Sequence, residues 1–181
     1  MRRCLLAVFL LACSKPAPPV IGHVADFKLT DHTGKPFGTA ELAGKVWIAN
    51  FIFTRCTTVC PIFTEKMARL EEKAPDAIRF VSFSVDPEYD TPPVLTAYAK
   101  AKGADTRRWS FLTGPIDDVR KTVVDSMKVA VDKDPNATDP GMAIMHGTYF
   151  VLVDGKGQIR GVYAMSDESA GKRILEDAGR I

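Results

Sequence analysis

The alternation of hydrophobic and polar positions changes period along this chain, and each change predicts a different element. The run VWIANFIF (46–53) is continuously apolar and rich in β-branched and aromatic side chains, which is typical of a strand buried on both faces. Beyond it, apolar residues recur at Phe63, Met67 and Leu70 with charged residues between them. This spacing predicts an amphipathic helix over about 60–73.

The rest of the chain continues this alternation of strands and helices. The further elements predicted are a hairpin around the DHTGK turn, a strand at 78–85, a helix at 91–103, a strand at 109–114, a helix at 115–127, a loop at 133–141, the strands TYFVLVD and QIRGVYA joined by GKG, and a final helix in SDESAGKRILEDAG. This order predicts an α/β fold, a thioredoxin-like sandwich with a central mixed sheet and an added N-terminal hairpin. In such sheets function is expected at the carboxyl ends of the parallel strands.

The first residues have the pattern of an export signal. Arg2 and Arg3 precede an apolar run that reaches Ala12, and this run is far shorter than the roughly 20 residues of a membrane-spanning helix. The run ends in LLAC, which resembles the bacterial lipobox, a signal in which the cysteine is lipidated and becomes the mature first residue. Cys13 is therefore the predicted lipidation site, and the alternative is a plain signal peptide in which Cys13 has no role.

This interpretation divides the chain and predicts its compartment. The predicted segments are a lipoprotein signal peptide (1–12), a polar, Pro-rich tether (13–21) and one folded domain (22–181). We expect a membrane-anchored lipoprotein of the bacterial cell envelope that faces the periplasm. Removal of the signal leaves 22 cationic against 22 anionic side chains without a basic run, so nucleic acid is not expected as a partner.

Two cysteines follow the first buried strand, in the stretch FTRCTTVCP (53–61). Once Cys4 leaves with the signal and Cys13 is lipidated, Cys56 and Cys60 are the remaining thiols. A disulfide staple gains little from closing so short a loop, and a structural zinc site needs further ligands of a kind that the chain lacks. A thiol–disulfide exchange pair is usually spaced C-x-x-C. The wider spacing here favours a soft metal ion between the sulfurs, but exchange remains open.

A soft ion bound by two sulfurs needs a third, neutral ligand to become three-coordinate. Thiolates select Cu(I) above other ions, and the nearby helix N-terminus is expected to lower the pKa of both thiols. His23 in the tether region and His32 in a polar turn are expected to be solvated surface residues. His146 stands directly before a predicted buried strand and is the candidate third ligand. Because export implies an oxidising compartment, a partner must keep the thiols reduced.

With these residues assembled, the chain resembles the SCO/SenC family of copper-delivery proteins over about residues 22–177. The stretches that carry the resemblance are FTRCTTVCP at 53–61, SVDPEYDTP at 84–92 and HGTYFVLVD at 146–154. The resemblance implies a thioredoxin-like fold and a copper site formed by Cys56, Cys60 and His146. It also implies delivery of copper, as Cu(I) or Cu(II), to the binuclear copper centre of cytochrome c oxidase.

Other positions refine this expectation. Asp86 and Asp90 match the acidic stretch of the family and are expected to support the metal ligands or to contact a partner, the alternative being turn and helix-cap chemistry. Many members have a proline directly after the first cysteine, where this chain has Thr57, so its loop is expected to be less stiff. Met142 and Met145 are expected to fill the core rather than to bind metal.

Three functions fit the sequence. The first is a lipid-anchored copper chaperone, not strictly an enzyme, that serves the copper-centre subunit of cytochrome c oxidase or another periplasmic copper protein. The second is a thiol–disulfide oxidoreductase in which Cys56 attacks a partner's disulfide, Cys60 resolves the intermediate and a thiol reductant restores the pair. The third is a peroxidase-like relative, in which a second cysteine at this spacing would be unusual. His146 discriminates between them, because a three-coordinate copper site requires it and thiol exchange does not.

Overall fold

The computed structural model describes residues 15–181 and gathers most of the predicted strands into one eight-stranded sheet. The strands are β1 (Gly22–His23), β2 (Lys28–Asp31), β3 (Pro36–Gly38), β4 (Trp47–Ile52), β5 (Arg79–Ser84), β6 (Trp109–Thr113), β7 (Val131–Lys133), β8 (Ile144–His146), β9 (Tyr149–Val153) and β10 (Gln158–Ala164). The order across the sheet is β1-β10-β9-β4-β5-β6-β2-β3, and β7 pairs with β8 in a separate ribbon. Strands β4, β5 and β6 are parallel, whereas β9 and β10 are antiparallel, so the sheet is mixed as predicted.

Helices cover both faces of this sheet. They are α1 (Thr39–Leu42), α2 (Val59–Lys73), α3 (Pro92–Ala101), α4 (Ile116–Arg120) and α5 (Ala170–Ala178), with a π-helical segment at Lys121–Ser126 and a 3₁₀ turn at Pro140–Met142. Within residues 15–181, no helix combines the length and the apolar character needed to cross a membrane. The predicted signal peptide and Cys13 lie outside the described residues.

Strand β4 lies at the centre and is buried along its whole length, as its apolar run predicts. Trp47 and Phe51 pack into the core on one face, and Ile48 and Ile52 pack into the core on the other. Full burial of each such side chain contributes about 1.5–3 kcal/mol to stability. A strand with an apolar core on each face is the middle layer of a sandwich, which confirms the predicted fold class.

Helix α2 connects β4 to β5. The loop 53–58 that carries Cys56, called the cysteine loop below, precedes it, and Cys60 lies in its first turn. Phe63, Met67 and Leu70 face the core, as their helical spacing predicts. Pro61 lies in the first turn, where the missing N–H costs nothing, and Pro75 follows the helix closely and cannot continue it. The N-terminus of α2 is therefore fixed at the carboxyl end of β4.

The predicted helix at 115–127 changes character halfway along. The Thr122 hydroxyl donates to the Asp118 carbonyl at 2.8 Å, and so competes for the acceptor that an α-helical N–H would use. The next backbone bonds reach one residue further back, as in Met127 N–H to the Thr122 carbonyl at 3.1 Å. This is the π-helical segment, which the apolar spacing alone did not predict.

The predicted loop at 133–141 lies within a longer excursion that contains structure of its own. Strands β7 and β8 pair antiparallel, with Val131 opposite His146, and the 3₁₀ turn lies between them. Gly141 of that turn lies against the loop of the first cysteine, because a Cβ at this position would come within 2.8 Å of the Arg55 carbonyl oxygen. The ribbon thus bends back over the carboxyl end of β4.

Candidate metal centre

The cysteine loop and the β7–β8 ribbon bring together the three residues that the sequence singled out. Cys60 Sγ lies 3.5 Å from His146 Nε2, although 86 positions separate the two residues in the chain. The backbone N–H of Cys60 donates to Cys56 Sγ at 3.4 Å. Both thiols are free and buried, with Cys56 6% and Cys60 0% exposed. All three residues lie at the carboxyl end of the parallel strands, where the fold predicts function.

The separation of Cys60 and His146 can be compared with what a shared ion requires. If an ion lay about 2.3 Å from the sulfur and about 2.0 Å from the nitrogen, the sulfur–ion–nitrogen angle would be roughly 110° at this separation. The sulfur of Cys56 instead faces the Cys60 N–H and the Thr58 hydroxyl, at 3.4 and 3.7 Å. Among residues 15–181, no group of three or more Cys, His, Asp or Glu side chains is arranged so that it could hold a metal ion. Two donors are therefore in reach of one ion, and the third is not aligned with them.

His146 presents a lone pair toward the thiols. Its Nδ1 lies 3.2 Å from the Gly147 carbonyl, which can only accept, so Nδ1 carries the proton and Nε2 is free to accept or to bind metal. Burial lowers the pKa of His146 and so favours the neutral ring, whereas the hydrogen bond to the Gly147 carbonyl opposes this shift only in part. The edge of the Phe53 ring packs against the imidazole, with ring centroids 5.9 Å apart.

The two thiols are electrostatically unlike. Burial would raise the pKa of Cys56, but hydrogen bonds from the Cys60 side chain and backbone and from Thr58 outweigh it and lower that pKa. Burial raises the pKa of Cys60, and the neighbouring Cys56 and Asp90 raise it further. The pKa of Cys56 is therefore lowered, in the expected direction, by hydrogen bonds that include the Cys60 N–H, whereas the pKa of Cys60 is raised, against the expectation, chiefly by burial.

Asp90 fixes the position of Thr54, which stands two residues before Cys56. It is fully buried and accepts from Thr54 N–H at 3.1 Å, from the Thr54 hydroxyl at 2.5 Å and from the Ser84 hydroxyl at 2.6 Å. Helix α3 begins at Pro92, and the side chain of Thr91, the N-cap residue before it, makes no capping bond. The Asp90 side chain therefore ties the cysteine loop to the end of β5 rather than capping a helix.

Asp86 fixes the position of Arg55, the residue directly before Cys56. The Arg55 guanidinium donates to its carboxylate at 3.0 and 2.5 Å, and Asp86 is only 2% exposed. The guanidinium also stacks on the Tyr89 ring, 4.5 Å from its centroid. The sequence interpretation missed Arg55, Thr54 and Ser84, although the first two stand beside Cys56 in the quoted motif.

Three other sequence expectations can be compared with the structure. Met142 and Met145 are 58% and 66% exposed, so the prediction that they fill the core is wrong. His32 is only 7% exposed, because the hairpin joins β6 and the His32 Nδ1 accepts from Phe111 N–H at 3.4 Å, so its predicted surface position is also wrong. His23 is exposed as expected.

Solved structures of similar sequence share this fold. A SCO1/SenC family lipoprotein from Bacillus anthracis str. Ames is 39% identical, with a TM-score of 0.78 over 88% of this chain and 94% of that one. BsSco, described as a member of the Sco family of cytochrome c oxidase assembly proteins and as having a disulfide switch, is 30% identical, with a TM-score of 0.79 over 92% of this chain and 97% of that one. Bradyrhizobium japonicum ScoI, solved with copper bound, is 26% identical, with a TM-score of 0.71 over 88% of this chain and 99% of that one.

The resemblance extends through almost the whole domain. The SCO1/SenC family model matches residues 18–178, which include both cysteines, both aspartates and His146. The chain therefore belongs to the SCO1/SenC family.

Proposed function

We propose that this protein carries one copper ion per domain and delivers it to the binuclear copper centre of cytochrome c oxidase. Cys56, Cys60 and His146 are the proposed ligands. The observation that carries the proposal is the 3.5 Å approach of Cys60 Sγ and His146 Nε2, two residues distant in sequence. Among the relatives, ScoI of Bradyrhizobium japonicum has copper bound and BsSco belongs to a family of oxidase assembly proteins. The copper is cargo, so the protein binds and releases it without a catalytic cycle.

The donor set suits a soft ion. Two thiolate sulfurs and one neutral imidazole select copper over harder cations such as magnesium or calcium. Binding displaces the proton of the buried Cys60 thiol and requires the Cys56 sulfur to turn from the Cys60 N–H toward the ion. Asp86 and Asp90 take part through Arg55 and Thr54, because they fix the backbone from which Cys56 projects.

The proposed anchor places this activity on a membrane. Residues 1–12 act as the signal peptide and Cys13 carries the lipid, so the domain faces the periplasm. One similar protein, from Bacillus anthracis, is described as a lipoprotein. Durable attachment needs more than one acyl chain, since each buried methylene contributes only about 0.8 kcal/mol.

Copper titration under reducing conditions tests the proposed ligands. Replacing His146 by alanine is expected to weaken copper binding by about 100-fold, because one of three donors is lost. His23→Ala is the matched control, since this histidine is exposed and distant from the thiols. Equal affinities and equal spectra for wild type and His146→Ala would contradict the proposed site.

Thiol–disulfide exchange with a partner protein is a second candidate function. The observation that favours it is the asymmetry of the thiols, in which the pKa of Cys56 is lowered and that of Cys60 is raised by burial. Cys56 would attack the partner's disulfide and form a mixed disulfide while one partner thiolate leaves. Cys60 would then attack Cys56, release the second partner thiol and leave a Cys56–Cys60 disulfide, which an external thiol reductant would reduce. A Cys60→Ser variant would accumulate that mixed disulfide, and His146→Ala would leave the exchange rate unchanged. Failure to trap any partner would count against this function alone.

A further inference from the structure

The residue that follows His146 is a glycine, and an aromatic ring occupies the space that its side chain would need. A Cβ at Gly147 would come within 2.7 Å of Tyr149 Cε2, 2.9 Å of Tyr149 Cδ2 and 3.3 Å of Val129 Cγ1. Two carbon atoms attract each other best at about 3.5–4.0 Å, so any side chain at this position would displace the ring. The φ of Gly147 is not positive, so the position requires glycine for space and not for conformation.

The ring comes from the first residue of β9. The contact joins positions i and i+2, which share one side of an extended chain. Tyr149 is 42% exposed, so part of its ring faces solvent while part packs on the glycine. In the described part of the chain, the hydroxyls of Tyr98 and Tyr163 are hydrogen-bonded and that of Tyr149 is not. The contact of Tyr149 with Gly147 is therefore one of packing.

The backbone of this glycine carries the hydrogen bond of the proposed ligand. The Gly147 N–H donates to the Ala130 carbonyl at 3.0 Å, which ties the glycine to the residue before β7. The Gly147 carbonyl lies 3.2 Å from His146 Nδ1 and accepts its proton. The Val129 side chain, only 4% exposed, packs beside the Tyr149 ring. The placement of Gly147 therefore determines where the imidazole proton is held.

The position of that proton determines which nitrogen can bind an ion. A neutral imidazole carries its proton on one nitrogen only. With the proton on Nδ1, the lone pair of His146 Nε2 is free, 3.5 Å from Cys60 Sγ. With the proton on Nε2, that nitrogen could not bind metal without losing it. Groups that bond to the second nitrogen of a ligand histidine orient the ring, and their loss typically weakens metal binding by about 10–100-fold.

We propose that Tyr149 is a positioning residue of the metal centre. Its ring, packed on Gly147, holds the carbonyl that keeps the His146 proton on Nδ1 and so presents Nε2 to the ion. The tyrosine contacts neither the ion nor the thiols in this role, because it acts through Gly147 and then through His146. The effect on copper rests on the proposed function, whereas the arrangement of the imidazole in the metal-free protein does not.

The same sheet contains a second pair of this kind, which serves as a control. Gly161 and Tyr163 of β10 have the same spacing, and a Cβ at Gly161 would come within 2.6 Å of Tyr163 Cε2. Gly161 lies opposite Leu152 in the sheet and does not bond to an imidazole. Gly161→Ala therefore reproduces the steric change of Gly147→Ala without the hydrogen bond to His146.

NMR of the metal-free protein labelled with ¹⁵N at histidine gives the direct test. Two-bond ¹H–¹⁵N correlations show which ring nitrogen carries the proton, and the signals of His146 are those that disappear in His146→Ala. The wild type and Tyr149→Phe, which keeps the ring, are expected to hold the proton on Nδ1. Tyr149→Ala is expected to show a mixture of the two tautomers. Gly161→Ala is expected to leave the tautomer of His146 unchanged.

Copper titration under reducing conditions measures the consequence. Tyr149→Ala and Gly147→Ala should each weaken binding about tenfold, and Tyr149→Phe should restore the wild-type affinity within about twofold. The double variant of Gly147 and Tyr149 should lose no more than about tenfold, because both changes act through one contact. Gly161→Ala should lower the melting temperature and leave the affinity unchanged.

Three results would overturn the positioning role. They are a wild-type tautomer and affinity in Tyr149→Ala, a loss in Tyr149→Phe as large as in Tyr149→Ala, and an equal loss of affinity in Gly161→Ala. The second result would assign the effect to the hydroxyl, and the third to general loosening of the sheet. If His146→Ala binds copper as the wild type does, the proposed ligand set fails. The tautomer of the metal-free protein then still decides whether Tyr149 positions the imidazole.

Discussion

A carboxyl group is buried at each end of the parallel strands, but the hydrogen-bonding and charged groups around the two carboxyls differ. Glu71, near the amino end, lies 3.5 Å from the Arg108 guanidinium and accepts from the Asp105 N–H at 3.2 Å. Asp90, at the carboxyl end, accepts only from the neutral N–H and hydroxyl groups of Thr54 and Ser84. Burial raises the pKa of both carboxyls, and Arg108 opposes the rise only at Glu71.

The difference suggests that stability and chemistry are separated along the strands. At the amino end, the Glu71–Arg108 ion pair stabilises the fold, and Arg108 also donates to the carbonyls of Glu71 and Ala74. At the carboxyl end, the acids hold a loop whose thiols remain free. Exposed apolar residues accompany this end, namely Val59, Ile62, Met142, Met145 and Tyr149. Under the proposed function, a recipient of copper would approach this end of the domain, so such side chains suit a contact surface.

The largest expected effect tests the amino end. Replacing Glu71 by alanine leaves the Arg108 guanidinium buried without its nearest carboxylate, which should lower the free energy of unfolding by about 3 kcal/mol. Copper affinity should not change, because this residue lies at the other end of the sheet from the thiols. Urea denaturation and copper titration of the same protein measure the two quantities.

The exposed Glu65–Arg69 pair on the same helix is the control for this variant. Its side chains are 60% and 68% exposed, so Glu65→Ala should cost less than about 0.5 kcal/mol. A weakened copper site in Glu71→Ala would show that the two ends are coupled, against the separation argued above.

The next effect tests the carboxyl end. Asp90→Ala removes the acceptor of Thr54 N–H and of two hydroxyls, which should lower the free energy of unfolding by about 2 kcal/mol. Copper affinity should fall about tenfold as well, because the backbone before Cys56 is no longer held. Asp90→Asn keeps one acceptor oxygen and should recover part of both losses. If Asp90→Ala loses stability but binds copper as wild type does, the aspartate is structural only.

Much of the carboxyl end could be predicted from sequence, because short-range patterns determine it. The apolar run before Cys56 predicts β4, and the spacing of Phe63, Met67 and Leu70 predicts α2. A strand followed directly by a helix places the thiols at the junction of the two. The SCO1/SenC motif then pointed to His146, which the structure brings to 3.5 Å from Cys60.

Contacts between distant segments could not be predicted in this way. The burial of His32 depends on the pairing of its hairpin with β6, a neighbour some 80 positions away in sequence, with an N–H donor at Phe111. The exposure of Met145 depends on the β7–β8 ribbon, whose short strands carry too few residues to show a period. The pairing of Arg55 with Asp86 requires knowing that the two loops lie side by side.

The buried histidine of the hairpin gives a smaller, pH-dependent effect. Burial lowers the pKa of His32, and the neighbouring Asp31 opposes this only in part. The folded state therefore binds fewer protons there than the unfolded chain does. The stability that His32 contributes is complete above the unfolded pKa of about 6.5 and is lost as pH falls below it, by at most about 1.4 kcal/mol per pH unit.

Denaturation of wild type and His32→Asn between about pH 7.5 and about pH 5.5 measures this contribution. The variant should show a shallower loss of stability on acidification. His146 shifts in the same direction and is present in both proteins, so the difference between them isolates His32. Identical pH profiles for the two proteins would mean that His32 has the same pKa in the folded and the unfolded chain.

The smallest expected effect concerns the stiffness of the cysteine loop. Thr57 is exposed, and in the described part of the chain its N–H makes no hydrogen bond, so a proline there removes no donor in use. Thr57→Pro should raise the free energy of unfolding by up to about 1 kcal/mol, because the unfolded chain loses freedom. Copper affinity should rise a few-fold, about as much as a loop held in its binding geometry allows. Thr57→Ala removes the side chain without stiffening the backbone and should do neither. If the proline instead weakens binding, the loop must bend at this residue when Cys56 turns toward the ion, and the carboxyl end would owe its function to mobility rather than to a preformed clamp.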